Sequence, residues 1–198
     1  MATYFIDQKI TVLVNQYFIY AGNSAGEKGD LVAFVQQKRF SFKEKITFYK
    51  DESKNEEFFT VQARQVVDLG AVYDIKDADQ KQLGIVKKAF KSSLLRSTWH
   101  LLDEDEKTPR LIVQETSLPL AIVRRVWQFV PVISDIPFLL KYHFSFMKAG
   151  SEAEIASYQK VELFRDRYKL SLTQEAEEAA DWRVFVAIGV MLDALQGR

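Results

Sequence analysis

The sequence contains no cysteine, only four prolines and eight glycines, and just two histidines. Without cysteine there is neither a disulfide framework nor a thiolate metal site. Two histidines outside any E-x-x-H spacing do not make a zinc centre, and no metal or cofactor is expected. An excess of charge of either sign is missing as well: Lys+Arg and Asp+Glu both count 27. That balance removes the long-range field expected of a general nucleic-acid binder, so no nucleic-acid partner is expected. The N-terminal "MATYFIDQK" lacks the basic region and apolar run of a secretory signal. A cytoplasmic protein is the simplest expectation. What the chain does have is 198 residues, 47% of them hydrophobic and 13% aromatic, enough for a sizeable core.

One stretch is apolar on every side, "DWRVFVAIGVML", Asp181 to Leu192. Twelve helical residues span roughly 18 Å, short of a hydrocarbon core of about 30 Å. Extending it meets Glu175, Glu177 and Glu178 on one side and Asp193 on the other. Thr173 suits an N-cap, the first turn is acidic, and Gly197 suits a stop. These features predict a central helix over 174–196, buried within a protein core rather than in lipid. A helix enclosed on all sides needs a wall.

Short β-rich runs supply it: "ITVLVNQYFIY" (10–20), "LVAFVQQKRF" (31–40), "KITFY" (45–49), "FFTVQ" (58–62), "AVYDI" (71–75), "LGIVKK" (83–88), "STWHLL" (97–102) and "RLIVQE" (110–115). "KVELF" and "YKLSL" read as one more hairpin, and "AGNSAGEKGD" (21–30) as a long flexible connection. Strand–helix alternation is absent, which argues for an antiparallel sheet closed into a barrel or sandwich, a single domain over 1–198. Asp51, Asp77 and Asp103 recur 26 residues apart, each in an acidic turn. Fixed spacing suggests a meander around one axis; the commonness of acidic residues in turns is the competing explanation.

The acidic hairpins, "LGIVKKAFKSSLLRSTWHLLDED" and the closing "DWRVFVAIGVMLDAL" together resemble the LURP-one-related family, from about residue 30 onward. That family belongs with the tubby C-terminal domain and the phospholipid scramblases. The resemblance implies a closed antiparallel β-barrel of about twelve strands around a hydrophobic C-terminal helix. Scramblases carry cysteine clusters and a proline-rich leader, which this chain lacks. Their calcium loop has no counterpart either: after Asp77 and Asp79, Lys81 and Lys88 stand where ligands should be, and Gln82 replaces the turn glycine. No scrambling activity follows from the resemblance.

Signals for catalysis are weak. His100 and His143 lie in strand-like runs, there is no G-x-S-x-G elbow, and "AGNSAGEKGD" lacks the G-K-[ST] ending of a phosphate loop. The expectation is a non-catalytic barrel that binds an unidentified ligand or protein. Two features could carry binding. Basic residues cluster at Lys38, Arg39, Lys43 and Lys45, and again at Lys87, Lys88, Lys91 and Arg96. "SLPLAIVRRVWQFVPVISDIPFLL" (117–140) sets Arg124 and Arg125 among apolar residues, including Trp127, Phe129 and Phe138. If that segment closes a barrel end it is a lid or extra wall; if it lies outside, it is an exposed apolar surface. Basic residues on the barrel of tubby relatives bind phosphoinositide headgroups. The resemblance therefore makes Lys87, Lys88, Lys91, Arg96, Arg124 and Arg125 candidate contacts to anionic lipid, with peripheral attachment at the inner membrane surface as the alternative function. Solvated strand faces and edge-protecting lysines account for the same residues.

Overall fold

A computed structural model describes residues 1–11, 13–38, 45–64, 71–89, 97–117, 143–162 and 166–196. Twelve strands form a closed barrel: β1 (Ala2–Ile10), β2 (Val14–Gly22), β3 (Lys28–Lys38), β4 (Lys45–Tyr49), β5 (Glu57–Ala63), β6 (Val72–Asp77), β7 (Gln82–Lys88), β8 (Thr98–Leu102), β9 (Pro109–Glu115), β10 (His143–Lys148), β11 (Glu154–Lys160) and β12 (Arg167–Leu172). Each strand pairs antiparallel with its sequence neighbours, and β1 closes the ring on β12 through Ala2–Leu172 to Asp7–Arg167. The barrel alternative is therefore the correct one, and no edge strand remains.

Alternation along the strands sets the core. Ile6 of β1, Tyr17 and Ile19 of β2, Phe59 and Val61 of β5, Trp99 and Leu101 of β8, Leu111 and Val113 of β9 and Leu170 of β12 all face inward and are buried. Two helices follow the strands: α1 (Gln174–Ala179) and α2 (Trp182–Gln196). Along α2 Val184, Phe185, Val186, Ala187, Ile188, Val190, Met191 and Leu192 are at most 1% exposed. The apolar segment thus fills the barrel, as its uniform hydrophobicity predicts. The close fit is visible at Gly189, where an added Cβ would lie 2.9 Å from the Tyr158 ring.

The continuous helix expected over 174–196 is broken. Thr173 caps α1 by accepting the Ala176 N–H, but Ala180 is extended, and Asp181 restarts the helix by accepting the Arg183 N–H at 2.9 Å. The break separates acidic α1, which stays on the rim, from apolar α2, which enters the barrel. Three strand boundaries also differ from expectation. The run 10–20 is not one strand: β1 ends at Ile10, Thr11 braces the turn through hydrogen bonds with Val14, and β2 follows. The strand before β12 is "EIASYQK" rather than "KVELF". The stretch 21–30 is a short hairpin, since β2 runs to Gly22 and β3 starts at Lys28.

The 26-residue spacing is structural. At the tips β4–β5, β6–β7 and β8–β9 the residue three beyond each Asp, namely Lys54, Gln80 and Glu106, has φ of 59°, 64° and 56°. In each the N–H of that residue donates to the carbonyl of Asp51, Asp77 or Asp103. Asp51 and Asp77 also accept N–H groups within their own turns, from Ser53 and from Asp79 and Lys81. The turn at Asn23 repeats the pattern, with Gly26 at φ 75°.

Candidate functional site

The barrel has two unlike ends. At one end lie the tips within 23–28, 50–57, 77–82, 103–109 and 148–154, joined by 173–183. These segments hold seventeen acidic residues and seven basic ones, a net of −10. Because the whole chain is neutral, the remaining sequence carries ten acidic and twenty basic residues. The acidic excess is thus concentrated on the tips at this end, although the chain as a whole is neutral. Local pairing holds the acidic end in shape: the Met1 amino group meets Glu177 at 3.0 Å, Lys148 meets Glu175, and Lys50 meets Glu56 at 2.5 Å. Tyr4 stacks on Trp182 with centroids 4.9 Å apart, and burial followed by the charges of Glu177 and Asp181 pushes its hydroxyl up to about 12. On the outer wall, Arg64 binds Asp74 through two hydrogen bonds at 2.8 and 2.7 Å and Glu106 at 2.5 and 3.0 Å, tying the β8–β9 tip down. These bonds hold the Arg64 proton more tightly than usual and push Glu106 below its ordinary range.

At the opposite end the strands present apolar side chains to solvent. Ile10 is 52% exposed, Leu13 74% and Val161 37%. Among the described residues the other exposed large hydrophobic is Met1, at the acidic end. Ile10 and Leu13 flank the β1–β2 turn, while Val161 follows β11 and gives its N–H to the Arg167 carbonyl of β12. All three thus lie at the ends of four adjoining strands. Polar groups gather inside this end. Asp193 of α2, itself buried, accepts hydrogen bonds from Tyr17 (2.9 Å) and Tyr168, and Gln8 donates to the Tyr17 oxygen at 3.0 Å. Next to Tyr168, the mostly buried Lys160 pairs with Asp166 at 2.7 Å.

A groove of about 400 Å³ opens on the wall beside this apolar end, over β1, β2 and β12. Its middle is a cross-strand row, Phe18–Asp7–Arg167. Lys28 reaches across, 2.5 Å from Asp7 and 3.5 Å above the Tyr20 ring. Arg167 donates to Glu162 at 2.7 Å and stands 3.7 Å from Asp7. Lys9 and Ile10 form the outer lip. The groove has no signature in the sequence, because β1, which carries Asp7 and Lys9, lacks the regular alternation of a strand.

The proposed basic contacts divide. Lys87 and Lys88 do not share a face: Lys87 pairs with His100 on the outside, whereas Lys88 pairs with buried Trp99 and sets its ammonium 5.7 Å from that ring, towards the interior. Burial, then the charge of Lys87, lowers the His100 pKa. Lys91, Arg96, Arg124 and Arg125 lie outside the described residues, as do Arg39, Lys43 and the segment 118–140. The strands that precede them in the chain, β3, β7 and β9, finish at the apolar end. His143 of β10 stands 3.6 Å from Glu154 of β11. Among the described residues no group of three or more His, Asp or Glu is placed to hold a metal ion, and no helix is long and apolar enough to cross a membrane.

The closed antiparallel barrel of twelve strands around an apolar C-terminal helix is the fold that the LURP-one-related resemblance implies. The LURP-one-related family model matches residues 31–193, and the chain belongs to that family. No curated protein and no solved structure matches it. The match starts at β3, so β1, β2 and most of the groove precede it.

Proposed function

We propose that this barrel is a non-catalytic binding module that works at an anionic membrane surface, docking through the end that carries Ile10, Leu13 and Val161. The observation that carries the reading is the coincidence of exposed aliphatic side chains with charge separation. The −10 end is repelled by anionic headgroups, so the barrel stands with its other end towards the lipid. Aliphatic side chains then enter the interface, and outward cations such as Lys9 and Lys87 approach the headgroups. The carboxylates at the tips serve the fold, capping turns or pairing with lysine and arginine, which supports binding over chemistry.

The test is co-sedimentation of the full chain with vesicles of phosphatidylcholine alone and of phosphatidylcholine mixed with phosphatidylserine. Binding is expected only with the mixed vesicles, weakening as salt is raised. Leu13→Asp should weaken it by about tenfold or more, since it replaces an inserted aliphatic group with a charge of the repelled sign. Lys87→Glu should weaken it less and flatten the salt dependence. Failure of the parent protein to sediment with mixed vesicles overturns the membrane reading. Equal sedimentation of Leu13→Asp and parent overturns the assignment of this end.

A further inference from the structure

We infer that the groove over β1, β2 and β12 is a binding site for a small organic anion, a carboxylate attached to a flat apolar body. Its volume of about 400 Å³ is in the range of small-molecule sites, and far more than an inorganic ion needs. The charge distribution selects the sign. Both carboxylates in the wall are neutralised from within the fold, Asp7 by Lys28 at 2.5 Å and Asp166 by Lys160 at 2.7 Å. The two cations that line the groove keep capacity. Lys9 is exposed and makes no ion pair among the described residues, and Arg167, with Nη1 bonded to Glu162 and Nε 3.7 Å from Asp7, keeps its Nη2 edge for a ligand. A guanidinium with free N–H groups receives a carboxylate in its planar fork, and Lys9 adds a point charge from the facing lip. The body of the ligand meets Phe18, which braces edge-on against Phe34, and Ile10. Tyr20 is already covered by the Lys28 ammonium, so the ring that remains open to the ligand is Phe18.

The site shares Lys9 and Ile10 with the docking end, and it is tested without lipid so that its failure is read apart from that of vesicle binding. Phenylacetate is titrated into the ¹⁵N-labelled full chain and amide shifts are followed. A dissociation constant of about 1 mM suits so small a probe. Shifts should concentrate on β1, β2 and the start of β12. Phenylethylamine, with the same ring and the opposite charge, should bind at least about tenfold more weakly, and acetate, with the charge and no ring, likewise. Lys9→Gln, which removes no ion pair among the described residues, should weaken phenylacetate about fivefold, and Arg167→Gln should weaken it more. Absence of phenylacetate shifts on these strands at 10 mM, an order of magnitude above the expected constant, overturns the proposal. Binding of phenylethylamine as tight as that of phenylacetate overturns the charge assignment, and with it the ligand class. Equal binding of acetate overturns the apolar half.

Discussion

Replacing Phe185 with alanine tests whether α2 is the core of the barrel. Phe185 is fully buried, with its ring 5.4 Å from Phe146 of β10, and its neighbour Val184 packs against Gly84 of β7. Strands from distant parts of the wall therefore meet on one turn of helix, and none can move inward to fill the space a lost ring leaves. For a buried Phe→Ala change in a site that cannot collapse, the cost is about 3–5 kcal/mol. Against a total stability of roughly 5–15 kcal/mol, that is a third or more in a typical case. In a domain of this size each kcal/mol moves Tm by about 2–4 °C, so the melting point should fall by about 6–20 °C. Urea denaturation should show a lower midpoint with an unchanged slope, because the surface exposed on unfolding is nearly the same. Leu13→Ala, on an exposed turn, is the control and should stay within about 0.5 kcal/mol of the parent. A loss below about 1 kcal/mol for Phe185→Ala would refute the argument. So would a chain ending at Thr173 that remains soluble and melts cooperatively near the parent temperature.

Asp193→Ala removes the acceptor of two buried tyrosine hydroxyls and should lower stability by about 2–4 kcal/mol in the same assay, with Asp193→Asn losing less because it keeps an acceptor. Lys54→Gly and Gln80→Gly, each at a left-handed turn position, should raise the urea midpoint, by an equivalent of about 1 kcal/mol each. Burial pushes the Asp181 carboxyl up, but hydrogen bonds from Arg183 outweigh it and hold the pKa below the ordinary aspartate range. A carboxyl depressed in the folded state contributes stability at neutral pH that is lost as pH falls through its folded value. Acid titration of stability below about pH 4 should therefore be shallower in Asp181→Asn than in the parent.

The features legible in the sequence were those with a one-dimensional signature. A segment apolar on all sides at 181–192 has one soluble solution, and the regular Asp51, Asp77 and Asp103 marked turns that share one backbone conformation. β1 escaped because "YFIDQKI" interrupts its alternation with Asp7, Gln8 and Lys9, and what makes it a strand is pairing with β12 some 160 residues away. The break at Ala180 was hidden because Ala and Glu are good helix formers; the need to turn from rim to interior overrides them. Adjacent lysines at 87 and 88 look like one patch in a sequence and point to opposite sides of a strand. The groove could not be foreseen at all, since its residues come from three segments brought together by barrel closure.

The closure itself constrains how the protein can be made. Ala2 pairs with Leu172, and the helix that fills the interior follows that last strand. A ribosome adding about 5–20 residues per second takes roughly 10–40 s over a chain of this length, and β1 waits for nearly all of that time without its partner. Hairpins β2–β3 through β8–β9 can form as they emerge, since their contacts are local, yet their inner faces have no core to cover until α2 has left the exit tunnel. The nascent sheet consequently presents two open edges and an uncovered apolar face throughout its synthesis. Folding is committed only once that helix has emerged, and Trp182–Gln196 decides whether the preceding wall closes or aggregates.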